Sequence, residues 1–215
     1  MVKNIIKKED IMMKRYVMEC IGTFFLTIAI SLIANPIAIG LMLMAMIYVG
    51  GHISGGHFNP AISFVSFLQN RLKASDLGMY MVAQSVGAAL ALCLSMMMTN
   101  SGYSLDIFPG SPIVVPMAIE ALLVLVFAWV YLSMNMMARY HDSVLPGIVV
   151  GLTLLAIASG PGGLFNPAVA VGSMVCELIK EGVVTSALGS VVVYVVGPLV
   201  GSLGASTVFN YFKAE

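Results

Sequence analysis

Gly-Gly-His-Phe-Asn-Pro-Ala at residues 55–61 is repeated, with one change, as Gly-Gly-Leu-Phe-Asn-Pro-Ala at residues 162–168. The asparagines of the two strings, Asn59 and Asn166, lie 107 positions apart, which is about half of the 215-residue chain. A string repeated at half-length spacing predicts an internally duplicated fold. Each copy interrupts an apolar stretch at glycines, and each is followed by a helical pattern. The two strings are therefore where we expect the functional site.

The composition is that of a membrane protein. Hydrophobic residues make up 60% of the chain and charged residues only 9%, whereas soluble domains carry about a quarter charged residues. Six apolar stretches are candidates for membrane spans, at about 16–34, 36–50, 78–98, 114–138, 144–158 and 185–209. Two shorter amphipathic pieces begin at the Asn-Pro pairs, at about 59–69 and 166–179.

Charge and cysteine content exclude several function classes. The formal net charge is zero, so no basic surface for nucleic acid is expected. Cys20, Cys93 and Cys176 each lie in an apolar segment, and no metal or redox spacing connects them, so they are interpreted as buried, reduced side chains. We find no nucleophile–base pair, phosphate-binding loop or metal-ligand cluster, so we predict no enzyme, no metal site and no cofactor.

Basic residues predict the orientation of the spans. With six spans and a cytoplasmic N-terminus, nine of the ten Lys and Arg residues fall inside and only Lys180 falls outside, as the positive-inside rule requires. If the two Asn-Pro segments were full spans, Arg139 and Lys213 would lie outside. We therefore interpret these segments as re-entrant half-helices and expect both termini in the cytoplasm. The expected location is the cell (plasma or inner) membrane.

The duplication extends beyond the repeated string. Glu19 and Glu120 are the matching acids of the first and fourth spans. Three residues of the third span are matched 114 positions later in the sixth: Tyr80, Gln84 and Gly87 by Tyr194, Pro198 and Gly201. Three spans per half is an odd number, so the second half must be inverted. We predict one all-α transmembrane channel domain over 1–215, with inverted repeats at about 16–98 and 114–209 and a long extracellular loop at about 99–113.

The Asn-Pro pairs have a clear local role. Asparagine is a preferred N-cap, and proline suits the first helical position. If the half-helices enter from opposite faces, their N-termini meet at mid-membrane, each with about half a positive charge. Such ends repel cations, while the Asn59 and Asn166 amides can donate hydrogen bonds to a passing water. The alternative, that the pairs are only capping and turn chemistry, is rejected because there are two symmetric copies.

Over nearly its whole length the chain resembles the aquaporin, or major intrinsic protein, family. The resemblance is carried by Glu19-x-x-Gly22-Thr23, Gly-His-Ile-Ser-Gly-Gly-His-Phe-Asn-Pro-Ala at 51–61, Ala-Gln-Ser-Val-Gly-Ala at 83–88, and Asn166-Pro167-Ala168. It implies an aquaporin-like fold of six transmembrane helices and two re-entrant half-helices. It also implies a homotetramer in membrane lipid, with one pore per subunit. The motif residues at the pore centre would be Asn59, Pro60, Ala61, Asn166, Pro167 and Ala168.

The same resemblance suggests roles for three further residues. Glu19 and Glu120 would accept hydrogen bonds from the backbone of the re-entrant loops and so hold those loops in place; a proton relay is the alternative. His57 resembles a histidine that lines the cytoplasmic side of the pore in the family, and the alternative is a purely structural histidine. A glycine pair at Gly147 and Gly151 is interpreted as a helix-packing face within the monomer, with a subunit interface as the alternative.

One position departs from the family pattern. Most members continue the second motif with arginine, where this chain has Val169. Matching to the family gives an outer selectivity filter of Ile39, Leu154, Gly163 and Val169, without a charged side chain. This set fits neither the usual water-selective pattern nor the glycerol pattern. We predict a passive channel for water that also admits small neutral solutes. The alternatives are a multi-solute facilitator for glycerol, ammonia or hydrogen peroxide, and a closed, non-transporting structural membrane protein.

Overall fold

The structure, a computed structural model, describes residues 2–100, 110–140, 143–160, 162–182 and 187–213. Its α-helices in chain order are α1 (Val2–Ile28), α2 (Pro36–Ser54), α3 (Pro60–Leu68), α4 (Ala74–Thr99), α5 (Val114–Met136), α6 (Leu145–Ala158), α7 (Pro167–Glu181) and α8 (Ala187–Phe212). A π-helical turn, Ala29–Ile33, extends α1, and a 3-10 turn, Ala138–Tyr140, follows α5. Of the predicted extracellular loop, residues 101–109 lie outside the described residues.

Helix lengths support a chain that crosses the membrane several times. Within the described residues, five helices are long and apolar enough to span a bilayer: Glu9–Ile33, Pro36–Ser54, Ala74–Thr99, Val114–Met136 and Val192–Phe212. The remaining predicted span, α6, has only 14 residues, or about 21 Å of helix, so it is shorter than the usual spanning length. The chain is an all-α, multi-pass integral membrane protein.

The predicted duplication holds in three dimensions. Helix α1 packs against α4 in the first half, and α5 packs against α8 in the second. A Cβ atom built at Gly87 would overlap the carbonyl oxygen of Cys20, and one built at Gly201 would overlap that of Ala121. Cys20 and Ala121 each directly follow one of the two matching acids. The same close helix crossing therefore occurs in both halves, made possible by a glycine at matching positions.

The two halves meet along α2 and α6. A Cβ atom built at Gly40 would lie 2.7 Å from the carbonyl oxygen of Gly151, and one built at Gly151 would lie 2.7 Å from that of Gly40. A Cβ atom at Gly147 would lie 2.9 Å from the Tyr48 ring, also on α2. The predicted packing role of Gly147 and Gly151 within the monomer is confirmed.

The half-helices α3 and α7 are exchanged between the two halves. Helix α3, from the first half, packs against α8, and α7, from the second half, packs against α4. Two hydrogen bonds join α3 to α8: Ser202 Oγ donates to the Ala61 carbonyl at 2.9 Å, and Gln69 Nε2 donates to Ser206 Oγ at 2.8 Å. Each half-helix is thus held by the last long helix of the other half, so the halves are interlocked.

Candidate functional site

Both half-helices begin with the same capped turn. Asn59 Oδ1 accepts a hydrogen bond from the Ala61 N–H at 2.8 Å, and Asn166 Oδ1 accepts one from the Ala168 N–H at 3.1 Å. Proline follows each asparagine at the first helical position, where its missing N–H costs no hydrogen bond. The asparagine side chains therefore cap α3 and α7, as the local sequence predicts.

The two caps are bonded to each other's loops. Asn59 Nδ2 donates to the Phe165 carbonyl at 2.7 Å, and Asn166 Nδ2 donates to the Phe58 carbonyl at 3.0 Å. Each amide thus bonds the residue directly before the other asparagine, which holds the two helix N-termini together. A side-chain NH₂ carries two hydrogens, and each of these bonds uses one of them.

The residues before the asparagines adopt an uncommon backbone conformation. Phe58 has a φ of 50° and Phe165 a φ of 55°, in the left-handed region that non-glycine residues rarely occupy. Gly56 and Gly163 also have positive φ, at 65° and 148°, which glycine adopts without steric cost. The glycines of the repeated string are needed for this turn. The left-handed backbone of Phe58 and Phe165 is strained in both halves, and the hydrogen bonds that these two residues make compensate the strain.

The two buried acids hold these turns. Glu19 accepts hydrogen bonds from the N–H groups of His57 at 3.1 Å and Phe58 at 2.6 Å. Glu120 accepts them from Leu164 at 2.6 Å and Phe165 at 2.9 Å. In both halves the donors are the two residues before the asparagine, and in both the acid is fully buried. These N–H groups supply the hydrogen bonds that a buried carboxyl group otherwise lacks.

The support of the two acids differs between the halves. Glu19 also accepts from Ser54 Oγ at 2.6 Å and from Gln84 Nε2 at 2.8 Å. The position matching Gln84 is Pro198, whose side chain has no donor. Among the described residues, both hydrogen bonds that Glu120 receives come from the backbone. Among the described residues, Glu120, which holds the second loop, therefore has fewer hydrogen-bond partners than Glu19, which holds the first.

His57 is buried beside the first cap. Its Nδ1 lies 3.1 Å from Ser63 Oγ, and its ring centroid lies 5.2 Å from that of Tyr80 and 5.7 Å from that of Tyr131. The histidine lines two cavities, one on each side of it. It therefore stands at the boundary between them.

The larger cavity has a volume of about 590 Å³, and Arg15, His52 and Arg71 are among the residues that line it. The smaller has a volume of about 50 Å³, room for a few water molecules. It is lined by Leu26, Ile30, Ile39, Leu43, His57, Asn59, Phe127, Leu154, Ala158, Gly163, Leu164, Phe165 and Asn166. Its polar side chains are one imidazole and two amides, and among the described residues that line it none is an acid, a lysine or an arginine.

Three of the four residues predicted for the outer filter line this smaller cavity: Ile39, Leu154 and Gly163. Val169 does not. It is fully buried and belongs to an apolar cluster with Leu92 and Leu164. The place of Val169 in the outer filter stays a prediction. Pro60, Ala61, Pro167 and Ala168 form the first helical turns beneath the asparagines.

Sequence reasoning missed Leu26 and Phe127, which both line the smaller cavity. Leu26 lies seven residues after Glu19, and Phe127 lies seven residues after Glu120. Residues seven apart lie on the same face of a helix. Because both acids face the loops, the same spacing in both halves was a signal that these two side chains face the cavity.

The family model described as "Major intrinsic protein" matches residues 6–209. The chain belongs to the major intrinsic protein family. Its members are membrane channels rather than enzymes, and they transport water, small solutes such as glycerol, or both. The family assignment agrees with the resemblance recognised from the two Asn-Pro-Ala motifs.

Several relatives and one solved structure illustrate the relationship. The chain is 30% identical to glycerol uptake facilitator protein-like 6 of Lactiplantibacillus plantarum, covering 90% of this chain and 95% of the relative. It is 29% identical to aquaporin NIP1-1 of Zea mays, covering 93% and 75%. The aquaglyceroporin structure from Plasmodium falciparum superposes with a TM-score of 0.78 at 21% identity, covering 94% of this chain and 97% of that one. The aquaporin fold is thereby shown.

Proposed function

We propose that this major intrinsic protein is a passive pore for water and small neutral solutes, with a narrow part that is apolar and lacks arginine. The observation that carries the proposal is the cavity of about 50 Å³ beside the paired asparagines, in which the described lining residues carry no acid, lysine or arginine. Ile39, Leu154 and Gly163 are its outer filter, and His57 limits it on the other side. Val169 belongs to an apolar cluster with Leu164, which lines the cavity.

The chemistry of this lining explains how ions are excluded. An ion that enters must lose its hydration shell, and aliphatic walls supply no replacement ligands. At Asn59 and Asn166 the N-termini of α3 and α7 present partial positive charge, which opposes sodium and hydronium. A neutral water accepts a hydrogen bond from the second hydrogen of each amide. Water therefore passes without the cost that stops a cation.

The orientation and assembly complete the proposal. Nine of ten basic residues favour a cytoplasmic N- and C-terminus, so the larger cavity with Arg15 and Arg71 is the cytoplasmic mouth. Because the halves exchange α3 and α7, residues 1–215 act as a single channel domain. The protein assembles as a homotetramer in the cell membrane, as family members do, with one pore in each subunit.

Stopped-flow light scattering on proteoliposomes tests the function directly. We expect osmotic water permeability well above that of protein-free liposomes, with measurable glycerol and ammonia uptake and no sodium or proton current. A relative named as a glycerol uptake facilitator supports glycerol as one of the solutes. Water flux equal to that of empty liposomes contradicts the proposal and favours a closed, structural protein. A sizeable cation current contradicts the exclusion mechanism.

A pair of variants tests which residues form the filter. Leu154→Ala removes aliphatic volume from the cavity wall, so it should raise the glycerol permeability relative to water by about tenfold or more, the lower end of the effect that one methylene has in an apolar pocket. Val169→Ala is the matched control, because Val169 is fully buried and is not among the residues that line the cavity, and the glycerol-to-water ratio should stay unchanged. If Val169→Ala raises the glycerol-to-water permeability ratio and Leu154→Ala does not, the filter assignment is wrong.

A further inference from the structure

Two cysteines far apart in sequence meet between α4 and α7. The Sγ atoms of Cys93 and Cys176, 83 residues apart, lie 2.8 Å from each other. Both are free thiols. The third cysteine, Cys20, lies on α1. All three cysteines are free thiols, as the sequence interpretation expects, but of the three only Cys176 is buried. The contact between Cys93 and Cys176 was not visible in the sequence, because it depends on the packing of a half-helix against a helix of the other half.

The backbones approach closely just below the two thiols. Cys176 lies one turn after Gly172, and Cys93 lies one turn after Ala89. A Cβ atom built at Gly172 would lie 2.8 Å from the Ala89 nitrogen, and Cys176 Sγ itself lies 3.6 Å from the Ala89 carbonyl oxygen. A disulfide requires the two helices to lie near enough for short Cα–Cα distances. The glycine at this crossing allows that approach.

The matching position of the first half holds a different tether. Gln69 lies ten residues after Asn59, and Cys176 lies ten residues after Asn166. Gln69 Nε2 donates a hydrogen bond to Ser206 Oγ on α8 at 2.8 Å. In both halves, then, the far part of the half-helix is linked by side chains to the long helix of the other half. In the second half those side chains are thiols.

We propose that Cys93 and Cys176 form a disulfide under oxidising conditions, which clamps the half-helix α7 to α4. A peroxide is the oxidant. The Cys93 thiolate, the less buried of the two, attacks the O–O bond of hydrogen peroxide, giving a sulfenic acid and hydroxide, which takes up the thiol proton as water. The Cys176 sulfur then attacks the sulfenic sulfur, forming the S–S bond and releasing a second water. Two thiols and one peroxide thus give one disulfide and two waters.

The location of the pair identifies the compartment that supplies the oxidant. Cys93 lies six residues before the end of α4 at Thr99, and Cys176 lies five before the end of α7 at Glu181. In the proposed orientation both helix ends lie on the outer side of the membrane, where disulfides persist. This location rests on the proposed orientation, whereas the pairing of the thiols does not.

Thiol counting on the full-length protein in detergent tests the pairing. The reduced protein, denatured and labelled with maleimide, should carry three labels, one for each cysteine. After hydrogen peroxide it should carry one, and dithiothreitol should restore all three. Peptide mapping of the oxidised protein should recover Cys93 linked to Cys176. Three labels retained after peroxide, a linkage to Cys20, or a loss that dithiothreitol does not reverse would each overturn the proposal.

The clamp is tested by thermal unfolding of the same samples. Linking two sites 83 residues apart should raise the Tm of the oxidised protein by about 5 °C or more. Cys20→Ser is the matched control and should show the same rise, while Cys93→Ser and Cys176→Ser should show none. An oxidised protein that carries the disulfide but unfolds at the same temperature as the reduced one contradicts the clamp.

Discussion

Glu120→Leu should give a protein that conducts no water and unfolds about 10 °C below the parent. The Glu120 carboxylate accepts the N–H groups of Leu164 and Phe165 at 2.6 and 2.9 Å, and leucine accepts neither. Each buried donor left without a partner costs about 1–3 kcal/mol, and about 2–4 °C of Tm corresponds to each kcal/mol in a chain of this size. The turn before Asn166 then loses the bonds that compensate its left-handed backbone.

Glu120→Gln separates hydrogen bonding from charge. Its amide oxygen accepts one of the two backbone N–H groups, while its NH₂ faces the other, so one bond is lost and one kept. We expect a Tm between those of the parent and Glu120→Leu, with reduced water permeability. Differential scanning fluorimetry and proteoliposome flux measure the two effects. Glu9→Leu and Glu9→Gln are the matched controls, because Glu9 is exposed on α1, and both should match the parent.

The same series distinguishes a loop support from a proton relay. A support predicts that stability and flux fall together, in the order Glu, Gln, Leu. If Glu120→Gln keeps the parent Tm but loses all transport, the carboxylate acts through its proton and the support account is wrong. Glu19 offers a second comparison, because Ser54 and Gln84 remain beside it and can partly pair with the freed backbone groups.

The helices that local chemistry specifies were predictable from sequence. Helices α3 and α7 begin at Pro60 and Pro167, because an asparagine cap followed by proline defines a helix start without help from tertiary contacts. The close crossings at Gly87 and Gly201 also followed from sequence. The two glycines occupy matching positions, and each approaches the residue that directly follows the acid of its own half. Boundaries were less accurate: α1 begins at Val2 rather than near residue 16, because an apolarity criterion does not count its basic first turns as helix.

The rotation of each half-helix was not predictable in the same way. Whether Val169 lines the cavity or packs against α4 depends on which face of α7 the other half covers, and no local pattern encodes that choice. The contact of Cys93 with Cys176 has the same origin. Leu26 and Phe127 are an intermediate case, because their spacing from Glu19 and Glu120 was visible but had meaning only once those acids were known to face the loops.

Asn59→Asp should lower water permeability at least about tenfold and lower the Tm, although the substitution changes only one amide to a carboxylate. The variant keeps the cap, because a carboxylate oxygen still accepts the Ala61 N–H now bonded at 2.8 Å. It loses the donor that bonds the Phe165 carbonyl at 2.7 Å, so two acceptors face each other there. It also puts a charge beside a cavity without a cationic side chain in its lining, which costs several kcal/mol.

Asn35→Asp supplies the matched control, because Asn35 also precedes a proline and caps a helix, accepting from the Ile37 N–H at 2.9 Å, but lies exposed at the start of α2. It should keep the parent permeability and Tm. Asn166→Asp should reproduce the loss seen with Asn59→Asp, since its amide makes the reciprocal bond to Phe58. If Asn59→Asp behaves like Asn35→Asp, the Asn-Pro pairs serve only as caps. If Asn59→Asp and Asn166→Asp both fail while Asn35→Asp does not, the bonds between the two half-helix N-termini hold the pore centre together.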